Sequence, residues 1–217
     1  MKSVGPIATG ILVLAGLPAL VSAAPSAQTS KAAAKSAPAD NAPCAVCHGA
    51  NGEGSAAAHV PRIAGQSAEY LQKQLDDYAS GARDNAIMAN FAKALSAEQR
   101  QEFAKRYAAM SAPFLPEAAS SQKQLARGHQ LAYQGDETIR VQACNACHGP
   151  DGSGVLHAAP YLAGQSSEYI GTALKAFQSG LRKNDAGELM RSVAARLADA
   201  DITAAAAYFA SEGPATR

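Results

Sequence analysis

A long internal repeat is the feature that most limits how this chain can fold. The segment Pro61 to Leu71 returns as Pro160 to Ile170, with seven of eleven positions identical. Ahead of it, Cys-Ala-Val-Cys-His-Gly returns about a hundred residues later as Cys-Asn-Ala-Cys-His-Gly. Duplication explains both matches and predicts two similar units joined in tandem.

Proline-containing breaks separate the repeated units from each other. Pro113 and Pro116 interrupt the helical pattern just past the middle of the chain, which predicts a linker over residues 113–121. We call the repeated parts the first unit, residues 43–112, and the second unit, residues 122–217. Residues 24–42 contain no large apolar side chain, so we expect a flexible leader there.

The N-terminus has the pattern of a secretory signal peptide over residues 1–23. A basic start at Lys2 precedes an apolar run from Ile7 to Val21, which is too short to span a bilayer comfortably. Small residues follow, and we expect cleavage after Ala23 and export of the mature chain. An uncleaved membrane anchor is the alternative, which the Gly and Pro residues within the run disfavour.

Overall charge excludes one broad class of partner. The chain has 19 basic and 18 acidic side chains, and removal of Lys2 with the signal leaves 18 of each. Nucleic-acid-binding proteins carry an excess of basic residues, so we expect no nucleic-acid partner. Four cysteines are too few for a disulfide scaffold in 217 residues, which leaves their spacing as the informative feature.

The motif Cys-x-x-Cys-His occurs once in each unit. Its residues are Cys44, Cys47 and His48 in the first unit and Cys144, Cys147 and His148 in the second. Two thiols at this spacing can add to the two vinyl groups of one haem, and the adjoining His then reaches the iron. The motifs therefore predict two covalently bound haem c groups, with the four cysteines as thioethers and the two histidines as iron ligands.

A thioredoxin-like redox pair and a zinc site are the alternative interpretations of these cysteines. A redox pair does not need the following His, and no strand-rich pattern surrounds either motif. A single zinc ion bound by both motifs would require two segments about a hundred residues apart to converge. Haem attachment is favoured over both.

The sixth iron ligand decides between electron transfer and chemistry at the iron. An internal alignment that pairs Tyr107 with Phe209 places Met88 opposite Met190. We therefore predict Met88 and Met190 as the axial ligands opposite the two histidines. Met110 has no Met counterpart, and we interpret it as a core residue.

Three other histidines are candidates for ligation. His59 and His157 lie in Gly- and Ala-rich loops, and we interpret them as solvated residues or as residues on the propionate side of a haem. His129 has no counterpart in the first unit and is expected on a helix surface.

Taken in order, the motifs resemble a known family. In each unit Cys-x-x-Cys-His-Gly is followed by Pro-x-Leu/Ile-Ala-Gly-Gln and, about forty residues after the His, by a Met. This order resembles a class I c-type cytochrome domain, and two such domains behind a signal peptide resemble the dihaem cytochrome c4 family of bacteria. The resemblance covers roughly residues 43–211. It implies an all-α fold of two tandem class I cytochrome c domains, each wrapped around a covalently attached haem.

The resemblance also implies a role for two prolines. In class I cytochromes a proline carbonyl about a dozen residues after the haem-binding His accepts the other ring N–H, and Pro61 and Pro160 stand at that distance. Such a bond orients the ligand and raises its basicity. A Met on the opposite face favours ferrous iron. With both positions filled by protein, the iron changes only its electron count.

Apolar periodicity predicts a matching helix in each unit. The buried faces are expected to contain Tyr70, Leu71, Gln74, Leu75 and Tyr78 in the first unit and Tyr169, Ile170, Ala173, Leu174 and Phe177 in the second. Gly81 and Gly180 are predicted to end these helices.

Cap residues predict where other helices begin. Ser96 and Gln99 form a capping box, whereas its counterpart Ala198 has lost the cap, and Asp199 is expected to serve instead. A last helix from Asp201 to Ser211 should cross a helix near Ser121 to Gln134, with Gly128 allowing close approach.

The first unit departs from the family pattern ahead of Cys44. Two prolines and the absence of an apolar stripe indicate that the usual N-terminal helix is missing or displaced. We hypothesise a more exposed first haem with its own potential, which two indistinguishable haems in a potentiometric titration would contradict.

The resemblance implies a periplasmic electron carrier that takes electrons from a quinol-oxidising bc1-type complex and delivers them to a cytochrome oxidase. A dihaem electron-transfer subunit of a periplasmic dehydrogenase is the alternative. A dihaem peroxidase would need one unit to lack its Met. We expect a monomer that is not an enzyme and that associates with membranes only through its partners.

Overall fold

The computed structural model of the protein describes residues 42–114, 119–152 and 159–213. The predicted signal peptide, almost all of the leader, and His157 lie outside these residues. The segment ahead of Cys44, where the usual N-terminal helix was predicted to be missing or displaced, also lies almost entirely outside them. All of these described residues belong to one compact unit, so the first and second units of the repeat pack against each other.

The described fold is helical, as expected. The helices of the first unit are α1 (Ala42–His48), α2 (Ala68–Ser80), α3 (Ala86–Ala94) and α4 (Ala97–Ala108). Those of the second unit are α5 (Gln122–Tyr133), α6 (Asn145–His148), α7 (Ser167–Gln178), α8 (Leu189–Ala194) and α9 (Asp199–Ser211). Short 3₁₀ turns occupy Pro150–Gly152 and Ala186–Glu188. Within the described residues, β structure is limited to the isolated bridges Ser55 to Val60 and Asp136 to Val141.

Helix α2 begins and ends as the sequence predicts. The Ser67 side chain accepts a hydrogen bond from Tyr70 N (3.1 Å) and caps the first turn. Gly81 ends the helix with a φ of 83°, a conformation that only glycine adopts readily. Four of the five residues predicted for the buried face, Tyr70, Leu71, Gln74 and Tyr78, are buried, and the fifth, Leu75, is half-buried. In α7 two of the five, Ile170 and Phe177, are buried, and the other three are half-buried.

Helix α9 crosses α5 and forms the core of the second unit, as predicted. The Gly128 Cα lies so close to α9 that an added Cβ would overlap the Ala204 carbonyl oxygen and the Tyr208 Cβ. Eight residues of α9 are buried, and five of them are alanines. Small side chains on both helices therefore permit this close approach. The arrangement confirms the role assigned to Gly128.

The capping predictions were right for α4 and wrong for α9. Ser96 and Gln99 form the predicted capping box at the start of α4. Helix α9 begins at Asp199, two residues earlier than predicted, and Asp199 does not cap it. Asp201 accepts the Ala198 N–H instead (3.2 Å). Asp199 is the first residue of the helix rather than the residue before it, so it does not occupy the cap position, and its carboxylate pairs with Lys175 (2.8 Å).

Two glutamines join the units through matched hydrogen bonds. Gln66 donates from Nε2 to Tyr161 O (2.6 Å) and accepts from Tyr161 N (2.9 Å). Gln165, its counterpart in the repeat, donates to Arg62 O (2.9 Å) and accepts from Arg62 N (2.9 Å). Arg62 and Tyr161 each follow the repeated proline, so the two pairs of bonds are equivalent. The units thus meet through the same surface on each, related by approximate twofold symmetry.

Arginine and tyrosine side chains repeat this symmetry. Arg83 donates to the Tyr169 hydroxyl (3.0 Å), and Arg182 donates to the Tyr70 hydroxyl (3.2 Å). Burial acts to raise the pKa of Tyr169, but the two guanidinium groups outweigh it and leave that pKa below its usual value. Arg62 additionally holds the start of the predicted linker through the carbonyls of Ala112 (2.7 Å) and Pro113 (2.8 Å).

No helix in the described part of the chain is long and apolar enough to cross a membrane.

Candidate haem sites

Both motif histidines are held by the prolines that the family resemblance indicated. His48 stands at the end of α1, and its Nδ1 lies 2.9 Å from Pro61 O. His148 ends α6, and its Nδ1 lies 2.9 Å from Pro160 O. A carbonyl can only accept, so Nδ1 carries the proton in both residues. The Nε2 lone pair is therefore the one left for iron.

Burial keeps both imidazoles in the form that binds metals. His48 and His148 are each 8% exposed. Burial lowers the pKa of each ring, and the proline hydrogen bond offsets part of that change. A neutral ring fixed in one tautomer is the state that an iron ligand requires.

The four motif cysteines form no disulfide and are arranged alike in the two units. Cys44 and Cys144 are half-buried, and Cys47 and Cys147 are exposed. Burial raises the pKa of Cys144 to about 11. Burial also raises the pKa of Cys44, against lowering contributions from the Tyr107 hydroxyl and from Arg106. In each motif one thiol faces the packed interior and the other faces outward.

The zinc alternative finds no support in this arrangement. The two motifs belong to different units of the repeat, about a hundred residues apart in the chain. Over residues 42–114, 119–152 and 159–213 there is no cluster of three or more His, Cys, Asp or Glu side chains able to hold a metal ion.

Met88 lies in the first turn of α3. The helix is capped by Asn85, whose side-chain oxygen accepts from Met88 N (2.9 Å). Met88 itself is half-buried, while its neighbour Ile87 is 65% exposed and Phe91, one turn further on, is 46% exposed. The predicted ligand Met88 therefore has large apolar neighbours on its own helix that no other described residue covers.

Met190 occupies the equivalent position near the start of α8, but that helix begins differently. Asp185 accepts from Arg191 N (3.0 Å) and Nε (2.8 Å) and fixes the first turn. Glu188 precedes the helix with a φ of 59°, in the left-handed region. Met190 is half-buried, and its neighbour Leu189 is 65% exposed.

The remaining candidates behave as the sequence predicted. Met110 is 9% exposed and packs in the core of the first unit, which confirms its assignment as a core residue. His129 is exposed on α5 and stacks on Tyr133 with ring centroids 4.7 Å apart. His59 is exposed, and its Nδ1 lies 3.3 Å from a Glu168 carboxylate oxygen of the second unit.

The residues present fit a covalently attached haem in each unit. Each unit provides a pair of thiols, a neutral His with a free Nε2, and a half-buried Met beside exposed apolar side chains. Soluble proteins seldom leave several large apolar residues uncovered around one point without a partner for them. A large apolar macrocycle would cover such side chains, and no metal-free alternative accounts for both motifs.

Two features were missed from sequence. Gln66 and Gln165 join the units, and their recurrence in the repeated Ala-Gly-Gln block was the available signal, since a repeated polar residue between apolar positions needs a buried partner. Tyr107 is the second feature. Its hydroxyl is buried without a hydrogen bond of standard geometry, and the alignment already showed that the second unit has Phe209 there.

A family model and several known proteins match the chain. The family model for cytochrome c matches twice, over residues 32–118 and 125–212. These matches include both Cys-x-x-Cys-His motifs and both candidate Met residues.

Three relatives match most of the chain. A thiosulfate dehydrogenase electron acceptor of Stutzerimonas stutzeri is 45% identical over 78% of this chain and 79% of its own length. A thiosulfate dehydrogenase electron acceptor of Thiomonas intermedia is 40% identical over 93% of this chain and 90% of its own. Cytochrome c4 of Pseudomonas aeruginosa is 33% identical over 91% of this chain and 94% of its own.

Two solved structures share the fold. Reduced recombinant cytochrome c4 from Pseudomonas stutzeri superposes with a TM-score of 0.73 at 29% identity, over 80% of this chain and 95% of that chain. The thiosulfate dehydrogenase of Marichromatium purpuratum, as isolated, gives a TM-score of 0.72 at 36% identity. That match covers 80% of this chain but 38% of the dehydrogenase chain.

The family match, the relatives and the two equivalent sites agree with one another. Two cytochrome c domains, each with its Cys-x-x-Cys-His motif, carry two covalently bound haem c groups that transfer electrons. The chain therefore belongs to the cytochrome c family and, within it, to the dihaem cytochrome c4 family.

Proposed function

We propose that this protein accepts electrons from a thiosulfate dehydrogenase and passes them on to a further redox protein. The observation that supports this most strongly is the pair of relatives named thiosulfate dehydrogenase electron acceptor, at 45% and 40% identity. Part of a thiosulfate dehydrogenase chain also shares this fold at 36% identity. The cytochrome c4 relative is less similar, at 33%.

The proposed iron ligands are His48 and Met88 in the first unit and His148 and Met190 in the second. The haem iron supplies a one-electron change between Fe(II) and Fe(III). The protein's part is to keep that change free of side reactions. The proline carbonyls fix the two histidines, and a Met at the sixth position excludes water and favours the ferrous state.

Two one-electron sites suit a donor that releases electrons in pairs. Joining two thiosulfate ions through a new S–S bond releases two electrons, and two haem irons accept one each. One such oxidation would thus reduce both haems of one protein molecule.

Anaerobic reduction kinetics test the proposal. Oxidised holoprotein is mixed with thiosulfate and a catalytic amount of the thiosulfate dehydrogenase of Stutzerimonas stutzeri, whose acceptor is the 45% identical relative. We expect both haems to become ferrous at a rate proportional to the dehydrogenase concentration. Mixtures lacking either the enzyme or thiosulfate should stay oxidised.

A Pseudomonas aeruginosa cytochrome c4 sample is the matched control acceptor, because it has the same two-domain organisation and lower similarity to the dehydrogenase acceptors. Reduction of both cytochromes at equal rates would show that the reaction is non-specific. Absence of reduction of this protein would contradict the proposal, provided that dithionite reduces the same sample.

A carrier between a quinol-oxidising bc1-type complex and a cytochrome oxidase is the second candidate. The cytochrome c4 relative and the cytochrome c4 structure, which matches over 95% of its own chain, support it. Reduction by a bc1-type complex with quinol, measured beside reduction by the dehydrogenase, separates the two donors. A faster rate with the bc1-type complex would favour the second candidate.

We further propose a monomer located in the periplasm, with any membrane association running through its partners and with no catalysis of its own. Both units have their candidate Met, so neither iron offers an open position for peroxide. Holoprotein that consumes hydrogen peroxide faster than free haem would contradict this part of the proposal.

A further inference from the structure

Tyr107 and Phe209 occupy the same niche in the two units. Tyr107 O accepts from Gly65 N (2.9 Å), and Phe209 O accepts from the equivalent Gly164 N (2.8 Å). A Cβ added to Gly52 would lie 2.9 Å from Tyr107 Cδ1, and one added to Gly152 would lie 2.9 Å from Phe209 Cδ1. The backbone and ring environments therefore match.

The same niche contacts the inner cysteine of each haem motif. Cys44 packs against the core cluster that contains Tyr107. Cys144 packs against the cluster that contains Phe209. In this environment the principal difference between the two aromatic residues is one hydroxyl group, present in the first unit and absent from the second.

The Tyr107 hydroxyl is buried and incompletely satisfied. Tyr107 is 3% exposed, and its hydroxyl has no hydrogen bond of standard geometry among the described residues. Burial raises the pKa of the Tyr107 hydroxyl, and the Cys44 thiol, which packs against the same cluster, raises it further. Leaving a buried hydroxyl without a hydrogen bond is unfavourable, and Phe209 shows that the niche accepts a ring without one, so the presence of the Tyr107 hydroxyl calls for a functional explanation.

Haem attachment changes what this pair can do. The free Cys44 thiol can donate or accept a weak hydrogen bond, but attachment replaces S–H with S–C. The thioether sulfur can then only accept, and the Tyr107 O–H becomes the donor. An O–H donated to that sulfur would place the positive end of its dipole beside an atom bonded to the macrocycle, in a buried environment where dipoles act strongly.

We propose that the Tyr107 hydroxyl raises the reduction potential of the first unit's haem above the value that a phenylalanine would give. A reduced haem carries one electron more than an oxidised haem, and a nearby positive dipole end stabilises it. Hydrogen bonds near the metal group and burial are among the means by which proteins tune potentials. The inference rests on haem attachment at Cys44 and is independent of which protein donates the electron.

Exchange of the two residues tests the proposal in the holoprotein. Tyr107→Phe removes only the hydroxyl, and Phe209→Tyr adds one in the second unit. In a potentiometric titration followed by absorbance, Tyr107→Phe should lower one of the two potentials and leave the other in place. We expect a threefold to tenfold change in the equilibrium constant for reduction, about 28 to 59 mV for one electron.

Phe209→Tyr should raise the other potential by a similar amount. Tyr133→Phe, which removes a hydroxyl from the exposed part of α5, is the control and should change neither potential. If Tyr107→Phe leaves both potentials within about 10 mV of the wild type, or raises one, the proposal is overturned. The same holds if Tyr107→Phe and Phe209→Tyr shift the same haem.

A purely structural role predicts a different pattern. Under the proposal, Tyr107→Phe removes one weak hydrogen bond from the holoprotein, so its melting temperature should change little while one potential falls. A lowered melting temperature with unchanged potentials would assign the hydroxyl to packing and contradict the proposal. Should Phe209→Tyr not fold, the Tyr107→Phe titration decides the outcome alone.

Discussion

At each haem motif, one histidine nitrogen is committed to a proline carbonyl and the other is left for iron. Pro61 and Pro160 present these carbonyls at the same 2.9 Å distance from Nδ1. This hydrogen bond therefore does not distinguish the two sites. Differences between them must come from the residues around them, of which the Tyr107 hydroxyl is the most specific.

The Met assignments give the first prediction at the scale of the residue. Met190→Ala should remove about half of the charge-transfer absorption that Met-ligated ferric haem produces, and Met88→Ala should remove the other half. The reason is that each substitution deletes one thioether ligand and leaves the second haem intact. The measurement is the absorbance spectrum of the oxidised holoprotein.

Met110→Leu is the matched control, because Met110 is buried in the core and keeps its volume in this substitution. Its spectrum should retain the full band. Full retention of the band in Met190→Ala would instead show that the wrong Met was assigned.

Among the elements, the repeated glutamines form the strongest link between the units. Gln66→Met preserves side-chain length and removes both hydrogen bonds to the Tyr161 backbone. The buried backbone amide and carbonyl of Tyr161 then lose these hydrogen bonds, at about 1 to 3 kcal/mol. We expect the free energy of unfolding of the holoprotein to fall by that amount in a urea titration.

Gln165→Met should behave in the same way, since its bonds to Arg62 are equivalent. Gln101→Met on the exposed face of α4 is the control and should leave stability within about 0.5 kcal/mol. Equal effects of Gln66→Met and Gln101→Met would show that the paired bonds do not stabilise the interface.

The crossing of α5 and α9 gives a prediction with an internal control. Gly128→Ala places a methyl group against the Ala204 carbonyl and Tyr208, so we expect destabilisation by about 1 to 3 kcal/mol. An added Cβ at Gly171 in α7 meets nothing within 4 Å, and Gly171→Ala should be neutral or stabilising by up to about 1 kcal/mol. Denaturant unfolding of both holoproteins measures the difference. Equal stability of the two variants would contradict the close approach of the helices.

What the sequence could predict at this scale depended on how local the interaction is. The haem motifs, the cap of α4 and the end of α2 each involve residues a few positions apart, and the chain's own spacing predicts them. The bonds of Gln66 join residues 95 positions apart and exist only once the units have docked. The start of α9 was predicted two residues late, and Asp199, expected as its cap, is the first residue of the helix itself.

At the scale of the whole molecule, aromatic residues are few, at 6% of the chain. The buried residues of α9 are mainly alanines. Ile87 and Phe91 on α3 and Leu189 on α8, the helices that contain the candidate Met ligands, are exposed and do not fill a core. Small domains have little apolar surface to bury, so a haem in each unit supplies what the side chains do not. The fold and the cofactor are thus coupled.

Haem-free protein tests this coupling. We expect apoprotein, prepared by replacing the four motif cysteines with alanine, to lose cooperative thermal unfolding and much of its helical circular dichroism. Wild-type holoprotein from the same expression conditions is the control. A cooperative melt of the haem-free protein would contradict the view that the cofactor forms part of the core.

The central claim is that two His/Met-ligated haems carry electrons in this protein, one in each unit. The electron paramagnetic resonance spectrum of the fully oxidised holoprotein tests it most directly, since a vacant or water-bound iron gives a high-spin signal. The account predicts signals of low-spin ferric haem only, integrating to two irons per chain. A high-spin signal from one iron would contradict it and favour a peroxidase-like site in that unit.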